Sequence, residues 1–455
     1  MEKTLKQDSI FNLAKRILLF SIPLMLSGFL QLFYNAADLI VVGQFSGEYS
    51  DLSLAGVGAT SSLISLIFNL FFGLSIGANI VMSNCYGAKN EEKAQLTLHS
   101  SLLLSLICGV ILGISGFILA KQLLILTSCD EEVLPYATLY LRIYLLGAPA
   151  NILYNFAQGN LRAIGDTKTP LYILALSGLI NVLLNLLFVI CFKMNVAGVA
   201  LATIVSQYLS SFAIVFFLYK IKNPYVHFSF SKLRLSKEVT KELIVNGIPA
   251  GIQSSVFSLS NVIIQVAING FGKYVIAGKT AAFSIDNFVY QTMNSFYTAC
   301  IVFTGQGYGE KDIKKMKKIF WICNFFVVYV GLFMASIIIL NSNFFLGLYT
   351  NSEESLQAGQ QVMFTVLPLY FLCGLNEVSC AELRSLKHPL IPTIISITFI
   401  CGFRILWIYT YFAKHKTIEV LYMSYIISWT LAWLIHFCLY YFLRNKSYEK
   451  MLKLI

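Results

Sequence analysis

Apolar runs long enough to cross a bilayer follow one another through almost the whole chain. Because an apolar helix of about 20 residues spans the hydrocarbon core, counting these runs between polar breaks predicts twelve membrane helices. Backbone groups in lipid find no water to bond with, which confines such runs to helices. The sequence therefore predicts an all-α membrane protein. The predicted spans are 17–42, 52–82, 94–119, 135–158, 169–192, 195–219, 243–269, 275–303, 319–341, 361–383, 390–412 and 419–443.

Composition supports this class and excludes others. The 455 residues are 57% hydrophobic and 12% charged, whereas soluble domains carry about 25% charged residues. The net charge of +11 does not indicate a nucleic-acid partner, because lysines and arginines flank the apolar runs rather than form one patch. The ten cysteines are scattered without a CxxC pair and read as small core residues. No GxxxxGK[ST] occurs, so ATP-driven pumping is not expected. We expect no cofactor, only a coupling ion.

The basic residues predict the orientation. Most of the 33 lysines and arginines lie in the two termini and in the connections after the even-numbered predicted helices. By the positive-inside rule, both termini are cytoplasmic and the protein is multi-pass in the plasma (inner) membrane. The start is polar and no cleavage site follows a short apolar core, so we expect the first helix to be a retained anchor. The longest polar connection, 220–242, predicts a cytoplasmic linker between lobes 1–219 and 243–455.

The two halves repeat each other. Ile22-Pro23 recurs 226 residues later as Ile248-Pro249, and Leu161-Arg162 recurs 222 residues later as Leu383-Arg384. Six helices per half give both halves the same orientation, so the repeat is parallel, with a pseudo-twofold axis along the membrane normal. Substrate is then expected between the two six-helix lobes. Further pairs are Asn35 with Asn261, Ala55-Gly56 with Ala277-Gly278, and Tyr86-Gly87 with Tyr308-Gly309.

One carboxylate, Asp38, lies inside the first apolar run. An acid within a membrane helix costs several kcal/mol unless it faces a bundle interior or a watery cavity, which makes it a candidate functional residue. Ser27, Gln31, Asn35 and Asp38 fall on one helix face, at i, i+4, i+8 and i+11. Pro23 interrupts the hydrogen bonding of the same helix and predicts a hinge. The alternative is an acid near a helix end that only reaches water.

Several short motifs stand out along the chain. They are YNAADLIVVGQFSG (34–47), YGAKNEEKA (86–94) with its echo GQGYGEKD (305–312), YLRIYLLGAP (140–149), LRAIGDTKTP (161–170) and AGVALATIVSQ (197–207). By these motifs, and by the repeat, the chain resembles the multidrug and toxic compound extrusion (MATE) family over nearly its whole length. The resemblance implies a proton- or sodium-coupled exporter that works by alternating access. Other members of the same superfamily share the architecture, so a flippase for a lipid-linked precursor is the alternative.

The resemblance also implies an ion site in the first half, closest to that of DinF-like members. The family residues match Asp38, Asn181, Asn185 and Thr203, and we include Asn35 from the face of Asp38. Asn181 and Asn185 are i and i+4 on one helix face, and their amide oxygens with a carboxylate and a hydroxyl suit a proton or Na⁺. The family usually has an Asp at position 185, so its absence favours a proton. Alternatively, the two asparagines only bond neighbouring helices together.

The second half differs from the first. Ile264 occupies the position equivalent to Asp38, while Asp286 and Glu377 lie on later predicted helices. Acids facing a cleft would attract organic cations by charge and cation–π contact. Alternatively, Glu377 and Glu382 form ordinary ion pairs at the membrane edge, Glu382 with Arg384 and Lys387. The candidate substrate-cleft residues are Gln31, Asn155, Gln253, Asn261, Asp286 and Glu377.

The sequence thus predicts a secondary active multidrug exporter and not an enzyme. An H⁺ or Na⁺ flux through the first lobe drives amphipathic, cationic organic compounds outwards. We expect a monomer whose partners are the lipid bilayer and small organic substrates. A membrane acyl or prenyl transferase would need paired acids or histidines at one membrane face, and the sequence shows none.

Overall fold

The computed structural model describes residues 9–45, 47, 50–127, 129–350 and 352–453, and within them the chain is helical without strands. The predicted all-α class is confirmed. The ends of the predicted cytoplasmic termini, 1–8 and 454–455, lie outside the described residues. The helices are α1 Ile10–Phe45, α2 Ser50–Gly87, α3 Glu91–Leu126, α4 Leu134–Leu146, α5 Ala148–Ala163, α6 Lys168–Leu186, α7 Asn195–Lys220, α8 Lys237–Asn269, α9 Lys273–Glu310, α10 Ile313–Leu340, α11 Ser342–Gly347, α12 Glu353–Val366, α13 Phe371–Ser385, α14 Leu390–Ile395, α15 Phe403–Trp407 and α16 Ile418–Lys453.

Over the described ranges, nine helices are long and apolar enough to span a membrane, or ten if the bent pair α12 and α13 forms one span. All twelve predicted runs fall on helical segments, but the number of spans is not confirmed directly. The run 135–158 is divided at Gly147 into helices of 13 and 16 residues. The run 275–303 lies on α9, which carries Lys279 and Asp286. The break makes the first segment too short, and the polar residues make the second too hydrophilic, to count as a continuous membrane span.

Prolines mark the irregular points of the helices. Pro149 stands in the first turn of α5, where its missing N–H has no intrahelical partner to lose. A 3₁₀ turn, Leu367–Leu369, separates α12 from α13, which are bent by 45°. Pro23 and Pro249 instead lie inside α1 and α8. The two equivalent prolines therefore occupy equivalent places in two long helices.

The repeat extends to the turns. The side chain of Asn90 caps α3 by accepting from the Lys93 N–H at 2.9 Å. Asp312, 222 residues later, caps α10 in the same way, accepting from the Lys315 N–H at 2.9 Å. The residue before each cap has positive φ, 54° at Lys89 and 58° at Lys311. Because the same turn is built twice from Asn and Asp, the repeat reflects shared local geometry.

The chain divides into two compact units. One, here the N-terminal unit, contains most of α2 to α7 with Leu26 onwards of α1 and α8 up to Ser255. The other, the C-terminal unit, contains α9 to α16 with the start of α1, residues 87–89, and α8 from Val256. In the C-terminal unit, the rings of Phe20 and Phe303 meet edge to face at 5.3 Å. Both helices that carry an internal proline thus contribute to both units.

Within the N-terminal unit, α2 and α8 approach through glycines. A Cβ on Gly73 would lie 2.0 Å from the Gly251 backbone nitrogen, and one on Gly77 would lie 2.4 Å from the Leu243 carbonyl oxygen. On α8, a Cβ on Gly247 would lie 2.6 Å from the Leu74 Cα. Glycines four residues apart let two helix backbones touch, a common solution where lipid removes the hydrophobic drive for helix association.

We predict that Gly73→Ala destabilises the protein although alanine favours helices. The added methyl overlaps the α8 backbone, and overpacking of this kind costs roughly 1–3 kcal/mol. Gly58→Ala, on the same helix, is the matched control because a Cβ there meets nothing within 4 Å. Thermal unfolding of the purified variants should show a lower midpoint for Gly73→Ala only. Equal midpoints for the two variants would contradict the tight contact.

Candidate functional site

The Asp38 carboxylate on α1 is hydrogen-bonded by two other helices of the N-terminal unit. Asn185 on α6 donates from Nδ2 to Asp38 Oδ1 at 2.5 Å. Thr203 on α7 places its Oγ1 3.5 Å from Asp38 Oδ2. The structure therefore brings together three of the residues that sequence reasoning selected.

The two asparagines of α6 form a pair, as their spacing predicts. Asn181 Oδ1 accepts from Asn185 Nδ2 at 3.3 Å. Asn185 is fully buried and Asn181 is nearly so. The shorter bond to Asp38 shows that Asn185 contributes to the carboxylate site as well as to helix packing. The contact of Thr203 with Asp38 is the weaker one, since the single hydroxyl hydrogen has a closer acceptor in the Val199 carbonyl at 2.9 Å.

A glycine lets α1 reach α6. Tyr34 on α1 donates its hydroxyl to the Ala175 carbonyl of α6 at 3.1 Å. Its ring lies so close to Gly178 that a Cβ there would be 1.9 Å from ring atoms. Just after Asn185 the helix passes into a π-helical segment, Leu187–Cys191, a feature found often at functional sites. The Tyr34 contacts therefore hold α1 against α6, the helix that carries Asn185.

The site sits in an apolar surround that contains two tyrosines. Valines of α1, α2, α7 and the π-helical segment after α6 pack there with Tyr140 of α4. Tyr140 and Tyr144 stack with ring centroids 5.8 Å apart, and both lie within electrostatic reach of Asp38. Sequence reasoning missed them, although their i, i+4 spacing inside the YLRIYLLGAP motif was the available signal. The acid is thus surrounded by low-dielectric packing with hydroxyls nearby.

The predicted polar face of α1 is only partly drawn into the site. Ser27 is buried and Asp38 is half-buried, whereas Gln31 and Asn35 are exposed. Neither Gln31 nor Asn35 joins the hydrogen-bonded group around Asp38. Tyr34, which precedes Asn35 and was not selected, joins Asp38 in contacting α6. The side chain at position 35 is exposed instead.

Two cleft candidates also lie in the N-terminal unit. Asn155 is half-buried on α5, accepts from Gln158 Nε2 at 2.9 Å and donates to Asn151 Oδ1 at 3.1 Å. Gln158 in turn accepts from Arg162 Nη2 at 2.6 Å. Gln253 is buried on α8. Asn155 is therefore one link in a polar ladder along α5 that ends in an arginine.

In the C-terminal unit, Asn261 accepts from the Tyr425 hydroxyl at 3.2 Å. Asp286 is buried on α9 and is attracted by Lys279, which lies seven residues earlier on the same face of that helix. Glu377 is half-buried and is attracted by Arg384. No two of these three residues are hydrogen-bonded to one another in the described part of the chain. The C-terminal candidates are separate polar points rather than one assembled site.

The interpretation of Glu382 as a membrane-edge ion pair is wrong. Its side chain is fully buried, and one carboxylate oxygen accepts from Thr304 Oγ1 at 2.8 Å. The Cys300 thiol lies 3.6 Å from the same oxygen. Arg384 donates instead to the Tyr297 hydroxyl. Helix packing around α13 turns both charged residues inwards, which a linear charge pattern does not reveal.

The donor set around Asp38 fits one small cation. The described residues hold no cluster of three or more histidine, cysteine or acidic residues, the usual ligands of a transition metal. One carboxylate, the Asn181 carbonyl and the Thr203 hydroxyl supply oxygen atoms that a proton or Na⁺ accepts. The Asn185 Oδ1 is buried without a hydrogen-bond partner, and rotating this amide would exchange nitrogen for oxygen at Asp38. The group can hold a proton as it stands, or Na⁺ after that rotation.

Comparison with known proteins agrees with this architecture. The family model described as MatE matches residues 23–187 and 249–410. The probable multidrug resistance protein YoeA of Bacillus subtilis (strain 168) is 28% identical over 393 residues, covering 84% of each chain. The probable multidrug resistance protein NorM of Thermotoga maritima is 23% identical over 406 residues, covering 87% of this chain and 84% of that protein. An outward-facing multidrug resistance MATE transporter structure, 24% identical, superposes with a TM-score of 0.86 over 99% of this chain and 100% of the other.

We predict that Asn185→Asp makes the protein respond more strongly to Na⁺. A second carboxylate beside Asp38 adds a hard, negative ligand that favours Na⁺ over a single proton. The measurement is the shift in unfolding temperature on titration with NaCl, with choline chloride to subtract ionic strength. Asn324→Asp is the control, because Asn324 is buried on α10 and donates only within its own helix. Identical titrations for the two variants would place Asn185 outside the ion site.

Proposed function

Because this chain belongs to the MATE family, we propose that it is a secondary active multidrug exporter driven by inward movement of H⁺ or Na⁺ through the N-terminal unit. Its curated relatives are transporters and not enzymes, and they are described as multidrug resistance proteins. The observation that carries the coupling proposal is the Asp38 carboxylate, hydrogen-bonded by Asn185 from a second helix and approached by Thr203 from a third. A membrane-embedded acid with such partners is a place where a cation binds and leaves.

The chain's own residues support a single exchanged cation. Asp38 is the only carboxylate of the group, so binding one proton or one Na⁺ neutralises it. Counted from Arg16, Asp38 lies 22 residues along the helix, or roughly 33 Å at 1.5 Å per residue. We place it in the outer half of the membrane, reached from outside. Neutralising the carboxylate weakens its hold on the Asn185 amide and frees α1 to repack against α6 and α7.

The same proposal includes the arrangement in the membrane. Twelve spans form two six-helix lobes, 1–219 and 243–455, which are joined by the 220–242 linker. The protein is a monomer in the plasma membrane, and both of its termini are cytoplasmic. Both long internal-proline helices contribute to two units, which supports relative movement of the halves. The acid in the N-terminal lobe resembles that of DinF-like members, which supports grouping this chain with the DinF-like branch of the family.

Substrates of the exporter are proposed to be amphipathic organic cations. Asp286 and Glu377 supply negative charge, and Tyr370, Tyr422 and Tyr425 lie within electrostatic reach of Asp286. Aromatic faces beside a carboxylate bind cations by combined charge and cation–π attraction. A proteoliposome assay of ion-driven dye efflux tests this function. A flippase for a lipid-linked precursor would instead scramble labelled lipid and leave the dye trapped.

We predict that Asp38→Asn abolishes ion-driven export while the protein still folds and inserts. The amide keeps the shape of the carboxylate but cannot exchange a proton or neutralise Na⁺. Ethidium efflux from proteoliposomes under an imposed pH or Na⁺ gradient is the measurement, and Asp51→Asn, an exposed acid at the start of α2, is the control. Full efflux by Asp38→Asn would exclude this carboxylate as the coupling group.

We predict that Pro23→Ala slows turnover while substrate binding stays unchanged. Pro23 lies two residues before the point at which α1 passes from one unit to the other, and alanine restores the hydrogen bond whose absence allows bending there. Initial efflux rates at matched protein density, with ethidium affinity measured separately, test this. Pro249→Ala is the comparison variant, because α8 carries Ile264 where α1 carries the acid. Equal rates for Pro23→Ala and the parent would show that coupling does not use this hinge.

A further inference from the structure

A second charged group lies deep in the C-terminal unit and is not used by the coupling site. Arg404 is 1% exposed and lies on the short helix α15. This helix is flanked by two π-helical segments, Ser396–Gly402 and Ile408–Phe412. A charged side chain within a membrane segment is costly and is generally retained for function, and π-helical irregularities concentrate at functional sites. Arg404 therefore calls for a physical explanation.

The contacts of Arg404 are hydroxyls and aromatic faces. Its Nε donates to Ser428 Oγ at 3.1 Å and its Nη1 donates to Ser260 Oγ at 3.4 Å. The guanidinium carbon lies 3.8 Å from the ring centroid of Tyr425 and less closely over Phe257 and Trp429, at 5.6 and 5.8 Å. No carboxylate is among these contacts. The positive charge is stabilised by π faces but is not neutralised.

Hydrogen-bond donors without acceptors belong to side chains that pack around Tyr425. The Arg404 Nη2, the Trp429 Nε1 and the Tyr422 hydroxyl are all buried and have no partner among the described residues. Trp429 is 2% and Tyr422 is 5% exposed. Both rings pack against Tyr425, with centroids 5.5 and 5.6 Å away. A group of buried donors with a positive charge matches a ligand that offers negative charge and several acceptor atoms.

The repeat places this cluster where the other half has its cation site. The 222-residue offset pairs Thr203 with Tyr425 and puts Arg404 one residue beyond the partner of Asn181. The 226-residue offset of the first helices pairs Asp38 with Ile264. The two halves thus share the framework of three helices, but one carries a carboxylate and the other a guanidinium. The duplicated position has the opposite charge.

We propose that the C-terminal unit contains an anion-binding subsite, centred on Arg404, that recognises a carboxylate attached to an aromatic ring. Arg404, the Trp429 N–H and the Tyr422 O–H bind the carboxylate oxygens, and the ligand's ring packs against Phe257 and Tyr425. Asp286 lies within electrostatic reach of Tyr422 and Tyr425 and disfavours a second negative group, so the ligand is a monoanion. The monoanion is a second substrate class beside the organic cations, and as such it rests on the proposed export function, but its binding is measurable without transport.

The test compares two ligands that differ in charge and little else. Binding of 2-naphthoate and 2-naphthamide to the purified full-length protein in phosphatidylcholine nanodiscs is measured by equilibrium dialysis. We expect the carboxylate to bind about tenfold more tightly than the amide, as charge-assisted hydrogen bonds allow. Arg404→Gln should reduce this preference to about one, while Arg404→Lys keeps part of it. Equal affinity of the parent for both ligands would overturn the proposal.

Matched variants separate recognition from folding. Arg142→Gln is the control, because Arg142 also lies over an aromatic ring, that of Phe117 at 5.4 Å, but in the N-terminal unit. It should leave the preference unchanged, and loss of the preference in this control would count against Arg404. If Arg404→Gln does not fold, Trp429→Phe and Tyr422→Phe test the proposal instead, because each removes one hydrogen-bond donor and keeps an aromatic ring. Each should lower the preference for the carboxylate about threefold. No change in either would overturn the donor set.

Three further outcomes identify failures elsewhere. Naphthoate could bind more weakly in phosphatidylglycerol than in phosphatidylcholine nanodiscs, and this difference could disappear in Arg404→Gln. That result would show that the subsite binds a lipid headgroup, and it would overturn the proposal of an aromatic carboxylate. A parent protein that binds naphthoate selectively but exports neither naphthoate nor ethidium would overturn the export function and support the subsite. A parent protein that exports ethidium but binds naphthoate and naphthamide equally would support the export function and overturn the subsite.

Discussion

The cost of placing a charge in a low-dielectric interior governs the polar chemistry of this protein. Each buried ionic group must receive hydrogen bonds or opposite charge from the protein, because lipid supplies neither. Asp38 obtains its partners from side chains of two neighbouring helices. Arg404 is stabilised by the face of Tyr425 and by serine hydroxyls. In our two proposals these groups differ in use: the first is neutralised by a small cation, and the second attracts an anion.

Close helix contact makes these arrangements possible. The side chains that reach Asp38 are short, so α1 must lie near α6, and Gly178 allows this by leaving room for the Tyr34 ring. The α2 and α8 backbones touch through Gly73 and Gly251 in the same unit. Since apolar burial does not draw helices together in lipid, such contacts depend on shape and dispersion. One methyl group at such a point therefore affects both packing and the position of polar side chains.

The internal repeat preserves backbone geometry more strictly than chemistry. Turns with positive φ at Lys89 and Lys311 are followed by matching caps at Asn90 and Asp312. These positions are fixed by backbone conformation, which few residues satisfy. The charged residues of the two units are not equivalent, since Arg404 has no counterpart at Val182 and Asp38 has none at Ile264. A duplicated scaffold can thus carry buried groups of opposite charge, because the fold constrains turns and contacts but not the sign of a buried group.

The sequence by itself determined the helical class, the repeat, the family and the principal acid, because length of apolar run, periodicity and an isolated carboxylate are local properties of the chain. It also identified Asn181, Asn185 and Thr203 through the resemblance. The tertiary structure decided which polar residues meet: it joined Asn185 to Asp38, left Gln31 and Asn35 exposed, buried Glu382 against Thr304, and surrounded Arg404 with aromatic rings. These outcomes depend on the rotation of each helix about its axis and on which neighbour it packs against. Both are fixed by contacts between residues more than a hundred positions apart or on different helices, which periodicity along one helix does not encode.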